Sequence, residues 1–238
     1  LHSCERPLIL GVVSLPPGLR PDHPARAPYR EAAAAAAYAE ERFRRGTGPA
    51  TDRREREVLS DILGRTGLGR GARVLDCPAG AGRLADLLAA RGFAVAAADQ
   101  SEAMLAHAGG ALAGAGIPRR LAAADALALP FRDGSFDLVL CHRLLHHLET
   151  EGERRALLGA LARASRRFVL LSWFDAASLQ HLRRALRRPF RPSRRHAVTR
   201  ATLVRDAAAA GLRPLAFRAL RPLVSELSFV LLETAGPR

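Results

Sequence analysis

Apolar positions change their period twice along this chain. Residues 1–28 hold six prolines (Pro7, Pro16, Pro17, Pro21, Pro24 and Pro28) and no helical repeat, which predicts an irregular leader. Between Arg30 and Arg45 the run REAAAAAAYAEERFRR has high helix propensity and no internal Gly or Pro; Gly46, Gly48 and Pro49 stop it. Val58, Leu59, Ile62 and Leu63 then recur at helical spacing. Their helix is expected to start at Asp52, with Glu55 three residues on completing a capping box.

From residue 72 the texture becomes alternating strands and helices. ARVLDC, FAVAAA, RRLAAA, FDLVLC and RFVLLSW read as strands. Between them lie a helix opened by AGAG and ending near Arg91-Gly92, one from Ser101 to about Gly114, and one near 152–164. FDLVLC, apolar almost throughout, fits a central parallel strand covered on both faces. Thr199 caps a last helix closed by Gly211. Two strand-like runs, roughly 213–220 and 226–233, share a short Arg-Pro turn and so are expected to be antiparallel. This alternation predicts a doubly wound, mostly parallel α/β sheet with helices on both faces. The expected organisation is a leader (1–28) and one domain (29–238). That domain divides into a helical extension (29–66), a core (72–173), a basic insertion or lid (174–198), and a C-terminal helix and hairpin (199–238).

Composition narrows the class. With 238 residues, 48% of them apolar, the chain can bury one large core, and no apolar run approaches the roughly 18 residues that cross a bilayer. PLILGVVSLPP (residues 7–17) lacks a small-residue cleavage site, so secretion is not expected. Cys4, Cys77 and Cys141 sit at unrelated spacings that suit neither a disulfide framework nor a metal knuckle; a reducing, cytoplasmic setting is expected. The formal charge is +14, yet all 37 basic residues are arginine and 47 residues are alanine, a habit that a GC-rich coding sequence would produce. Position therefore matters more than number. Arg183, Arg184, Arg187, Arg188, Arg191, Arg194 and Arg195 fall together with no acidic residue among them, either as a solvated face or as a clamp for an anionic ligand. RNA recognition would add aromatic platforms, and only Phe190 lies in the run.

Ligands of open α/β sheets sit beyond the carboxyl ends of the strands. At the first such end stands VLDCPAGAGRL, whose small residues let a ligand approach backbone N–H groups. Gly80-x-Gly82-x-x-Ala85 also satisfies the NAD fingerprint, with Asp99 at a tolerable distance for a ribose. Two features separate the cases. Asp76 precedes the glycines, where a carboxylate suits a cationic amino group and is awkward beside a pyrophosphate. In addition, Asp76, Asp99 and Asp125 each close one of three successive strands, an arrangement that suits a nucleoside with a cationic tail.

The segments VLDCPAGAGRLADLLA, AAADQSEAML and AAADALALPFRDGSFDLVLCHRLLHHL resemble class I S-adenosylmethionine-dependent methyltransferases of the group that modifies small molecules. The resemblance covers about residues 72–148 and implies a Rossmann-like, seven-stranded sheet with its last strand antiparallel. It departs at Pro78, where the family has its first glycine and this chain has no N–H to offer. It implies that Asp76, Gly80 and Gly82 border the methionine portion and nearby ribose. Asp99 would hold the ribose hydroxyls, with Gln100 and Met104 beside the adenine, and Asp125 and the Ala126 backbone would meet the adenine edge. Cys141 and His142 would lie near the methionine end, and His147 matches a histidine that acts in catalysis in the phosphobase-methylating branch.

Methyl transfer from a sulfonium is an in-line displacement that chiefly needs alignment, and a base only where the nucleophile must lose a proton. His147 is the preferred base and His142 the second candidate; the histidines of LHHL can equally pack or cap. Cys141, His142 and His146 are metal-ligand types, but three side chains on one short segment rarely enclose zinc, so no metal is expected. Tyr38, Phe43 and the 174–198 segment are expected to shape the acceptor site, and the arginines favour an acceptor bearing phosphate or carboxylate. An RNA methyltransferase, a non-catalytic cofactor-binding partner and an NAD oxidoreductase remain as rivals.

Overall fold

The computed structural model describes residues 48–187 and 195–235. The leader, the Arg30–Arg45 helix with Tyr38 and Phe43, and Arg188, Phe190, Arg191 and Arg194 lie outside the described residues. Chain order is α1 (Gly48–Arg65), β1 (Arg73–Asp76), α2 (Ala85–Ala90), β2 (Ala94–Asp99), α3 (Glu102–Gly114), β3 (Leu121–Ala123) and β4 (Phe136–Cys141). A 3₁₀ turn (Leu145–His147) follows, then α4 (Glu151–Ala164), β5 (Ser165–Phe174), α5 (Leu179–Arg187), α6 (Arg200–Ala209), β6 (Leu212–Ala219) and β7 (Leu227–Thr234).

The seven strands form one sheet in the order β3-β2-β1-β4-β5-β7-β6, with β7 antiparallel to both its neighbours and the β3-to-β5 pairs parallel. This is the Rossmann-like, doubly wound sheet expected. Strand alternation sorts the core into two layers. Val74, Val95, Leu138 and Leu140 face Leu59, Ile62 and Leu63 of α1 and Leu88 of α2. Leu75, Val139, Cys141 and Val169 face Leu157, Leu158 and Leu161 of α4 and Leu203 of α6. Side-chain caps set several helix starts: Ser101 accepts from the Met104 N–H, Thr150 and Glu153 form a reciprocal capping box, and Thr199 accepts from the Thr202 N–H.

Two local expectations fail. Helix α1 is already formed at Gly48, the first described residue, so Asp52 lies inside it, and Asp52 and Glu55 form no capping box. Both carboxylates are drawn to arginines instead: Asp52 accepts from Arg56 Nε at 2.7 Å and also meets Arg83, while Glu55 turns inward. After β1 no helix opens at the glycines. Gly80 and Gly82 hold φ of 53° and 77°, outside the right-handed helical region, so α2 waits until Ala85.

Candidate active site

Strand order reverses at β1, which has β2 on one side and β4 on the other. The crevice beyond their carboxyl ends is where a doubly wound sheet binds ligands. Asp76 closes β1 there and is buried. Burial is the main influence on its carboxyl; Arg83 opposes it, Asp99 reinforces it, and the outcome is a pKa of about 7. A desolvated acid so far from its ordinary value, at the mouth of such a crevice, is a candidate functional group.

The loop that follows is shaped for close approach. A side chain at Gly80 would meet nothing within 4 Å, so open space lies over that backbone. At Gly82 a Cβ would stand 2.8 Å from the Ala108 Cα and from the Ala111 Cβ of α3, so this glycine's space is taken by helix packing. Of the two, Gly80 leaves open space beside its backbone, and Gly82 joins the loop to α3.

Asp99 ends β2, its Oδ2 accepting from the Gly80 N–H and its Oδ1 from the Ser101 N–H, each at 2.9 Å. Burial still raises its carboxyl above the usual range despite those bonds. Gln100 beside it is exposed and Met104 is buried on α3. Asp125 follows β3 and accepts from the Leu127 N–H at 3.0 Å, with Ala126 buried next to it. The three carboxylates therefore line the same edge of three adjacent parallel strands, as expected.

Across the crevice the candidates divide. The Cys141 side chain is enclosed in the core, and burial drives its thiol far up, so only its main chain can face a ligand. His142 is buried, with Nε2 at 3.0 Å from Glu55 Oε2. Burial lowers it, against the pull of Glu55, to about 4, so the ring is neutral near pH 7 and donates from Nε2 to the carboxylate. His146 is buried and stacks on Phe174 with ring centroids 4.0 Å apart. His147 alone of the three is partly exposed, 4.2 Å from the His146 ring.

Glu55 is the residue that sequence reading misplaced. It is fully buried and joins three segments: Arg83 Nη2 at 2.9 Å, His142 at 3.0 Å, and Arg143, whose Nη2 pairs with Oε1. Burial alone would raise its carboxyl, but His142 and then Arg143 outweigh it and hold it at about 2. Arg143 itself has φ of 60°, and its N–H donates to Ser172 Oγ at 2.7 Å. A signal was present in the chain: Glu55 lies on the same helical stripe as Val58, Leu59 and Ile62.

Further along the same edge, Gln180, Arg183, Arg184, Arg187, Arg195 and Glu226 line a cavity of about 330 Å³. Arg184 pairs with the buried Glu226 at 2.9 Å. Arg184 and Arg195 also lie over Phe174, 5.5 and 5.9 Å from its centroid, so the ring that stacks on His146 also meets two arginines of this cationic cavity.

Residues 74–167 match a protein family described as a methyltransferase domain. No curated protein sequence matches. Among solved structures, magnesium protoporphyrin IX methyltransferase (ChlM) from Synechocystis PCC 6803 with bound SAH is similar at 18% identity, with 88% of this chain and 98% of that one covered and a TM-score of 0.73. An S-adenosylmethionine-dependent methyltransferase from Clostridium acetobutylicum ATCC 824 is similar at 14% identity, covering 85% and 98%, with a TM-score of 0.65. The [4+2]-cyclase SpnF is similar at 17% identity, covering 83% and 86%, with a TM-score of 0.61. The shared fold is the Rossmann-like fold of class I methyltransferases.

Proposed function

We propose that this chain, with its methyltransferase domain over residues 74–167, binds S-adenosylmethionine and transfers the methyl group to a small acceptor bearing an anionic group. The carrying observation is the row of Asp76, Asp99 and Asp125 at the ends of three adjacent parallel strands, with open space over Gly80. A dinucleotide would bring a pyrophosphate against Asp76, whereas a cationic ammonium or sulfonium offsets that buried carboxylate.

The residues present fit the cofactor. Asp76 faces the charged methionine portion. Each Asp99 oxygen already accepts one N–H and keeps a further acceptor site for a ribose hydroxyl. Asp125 and the Ala126 backbone take the adenine edge, with Gln100 and Met104 flanking it. When bound, the sulfonium supplies an activated methyl group. His147 is the better base: His142 is enclosed, bound to Glu55 and held at about 4, too weak to take a proton near neutrality. The arginines lining the nearby cavity outnumber its one carboxylate, which favours an acceptor with a carboxylate or phosphate.

The test is calorimetric titration with S-adenosylmethionine and with NAD, followed by transfer of a labelled methyl group into cell extract separated by charge. The reading expects S-adenosylmethionine to bind and NAD not to, with label entering anionic small molecules. Binding of NAD alone would overturn it. Cofactor binding with no transfer to any acceptor would place the chain with proteins of this fold that do other chemistry, such as the cyclase SpnF.

A further inference from the structure

Helix α5 is tethered to the protein through polar residues. Its Gln180 Oε1 accepts the Glu226 N–H at 3.2 Å and the half-buried Arg184 pairs with Glu226, so the side bearing these two residues is the one turned toward the protein, although Gln180 itself stays exposed. The apolar stripe Leu179, Leu182 and Leu186, at spacing i, i+3, i+7, is consequently turned away, and α5 buries none of its residues. Leu182 and Leu186 are 54% and 70% exposed.

A second apolar element stands beside this stripe. The Leu179 and Gln180 N–H groups donate to the carbonyls of Leu223 and Val224, at 2.8 and 3.0 Å, tying the start of α5 to the β6–β7 turn. Leu223 is 84% exposed and holds φ of 61°. A leucine in the left-handed region costs roughly 1–3 kcal/mol, which a glycine would avoid, and here that cost presents the side chain to solvent. Five of the seven large exposed hydrophobic residues among those described (Leu179, Leu182, Leu186, Leu223 and Val224) thus form one patch. Its rim holds Arg183, Arg187 and Arg221, all exposed, and no carboxylate lies within 179–187 or 219–225.

We infer that this patch docks the protein on an anionic lipid surface, its leucines entering the headgroup region and its arginines meeting lipid phosphates. This goes beyond the methyl-transfer reading and does not depend on it. Charge decides among the occupants. Residues 1–47 carry seven arginines against five carboxylates, and a second copy carries +14, so neither complements a cationic rim. A nucleic acid would match the charge and leave the leucines without a partner. An amphipathic basic helix with leucine on its other face matches both properties of a lipid–water boundary.

The experiment is co-sedimentation of the full chain with phosphatidylcholine vesicles, with and without phosphatidylglycerol, for the wild type and for L186S/L223G. Glycine relieves the strained turn, so the variant's melting temperature reports that it folds. The expected result is binding to phosphatidylglycerol vesicles that weakens with salt. The folded variant should lose at least about tenfold in binding, as removal of two inserted leucines requires, while S-adenosylmethionine binding is unchanged. Absence of vesicle binding overturns the inference, as does equal binding of the variant. Leucine-dependent self-association, or leucine-dependent binding to an RNA oligonucleotide in place of vesicles, overturns it as well. Because sedimentation involves no cofactor, failure here is separate from failure of the methyltransferase reading.

Discussion

Glu55 is a buried carboxylate whose worth lies in three partners at once. Arg83 leads from the glycine loop, His142 and Arg143 from the end of β4, so one side chain on α1 joins both walls of the crevice. Removing one member of such a cluster leaves the others desolvated and unmatched, at about 3 kcal/mol or more. Glu55→Gln keeps the shape and deletes the charge, so urea unfolding should show a loss of roughly that size. Glu57→Gln, on an exposed i,i+3 pair with Arg54, should stay within about 0.5 kcal/mol. Equal effects from the two would show that the Glu55 cluster is not the brace described. The sign with pH follows from the lowered carboxyl. Its contribution is complete above the ordinary 4.5 and is lost as pH falls toward about 2.

At the scale of elements, the glycine loop separates two tasks that its spelling merges. Gly82→Ala would drive a methyl against the Ala108 backbone at φ of 77°, with a loss of about 2 kcal/mol. Gly80→Ala meets open space and loses about 1 kcal/mol to φ of 53°, but its methyl occupies the ligand's approach. Thermal melting should therefore single out the first variant and cofactor titration the second; the reverse order would refute the assignment. Strands and most helix ends were legible because they depend on local period and caps, as at Thr199 and Gly211. The positions of Asp76, Asp99 and Asp125 were legible because parallel strands carry their ends, and the residues just after them, to one edge. Glu55 was not, since its partners lie at positions 83, 142 and 143 and a near-perfect capping spacing competed with them. Nor was the setting of α5 legible: 174–198 reads as a basic insertion because its arginines dominate, and the spacing of Leu179, Leu182 and Leu186 does not say which face is buried.

Across the whole molecule charge is sorted along one sheet edge. Carboxylates gather at the ends of β1, β2 and β3, and arginines gather beyond β5, in a protein of net charge +14. The acidic end has a measurable linkage. Asp76 titrates near 7 when folded against an ordinary 3.8, so the folded protein holds a proton that the unfolded chain has released. Its stabilisation is complete below 3.8 and is lost as pH rises through about 7. His142 runs the other way: lowered to about 4, it favours folding fully only above 6.5. The two oppose each other up to neutrality, which is why the free protein's pH profile alone cannot isolate Asp76, whereas substitution can. Asp76→Asn should stabilise the ligand-free protein, and by about 2.5 kcal/mol more at pH 8 than at pH 5, since the asparagine never bears the buried charge. A cationic ligand reverses the balance by favouring the ionised carboxylate. The melting-temperature gain from S-adenosylmethionine should therefore grow from pH 5 to about 7 and then level off. In Asp76→Asn that gain should be small and flat with pH, and a wild-type gain without pH dependence would place the ligand's positive charge away from β1.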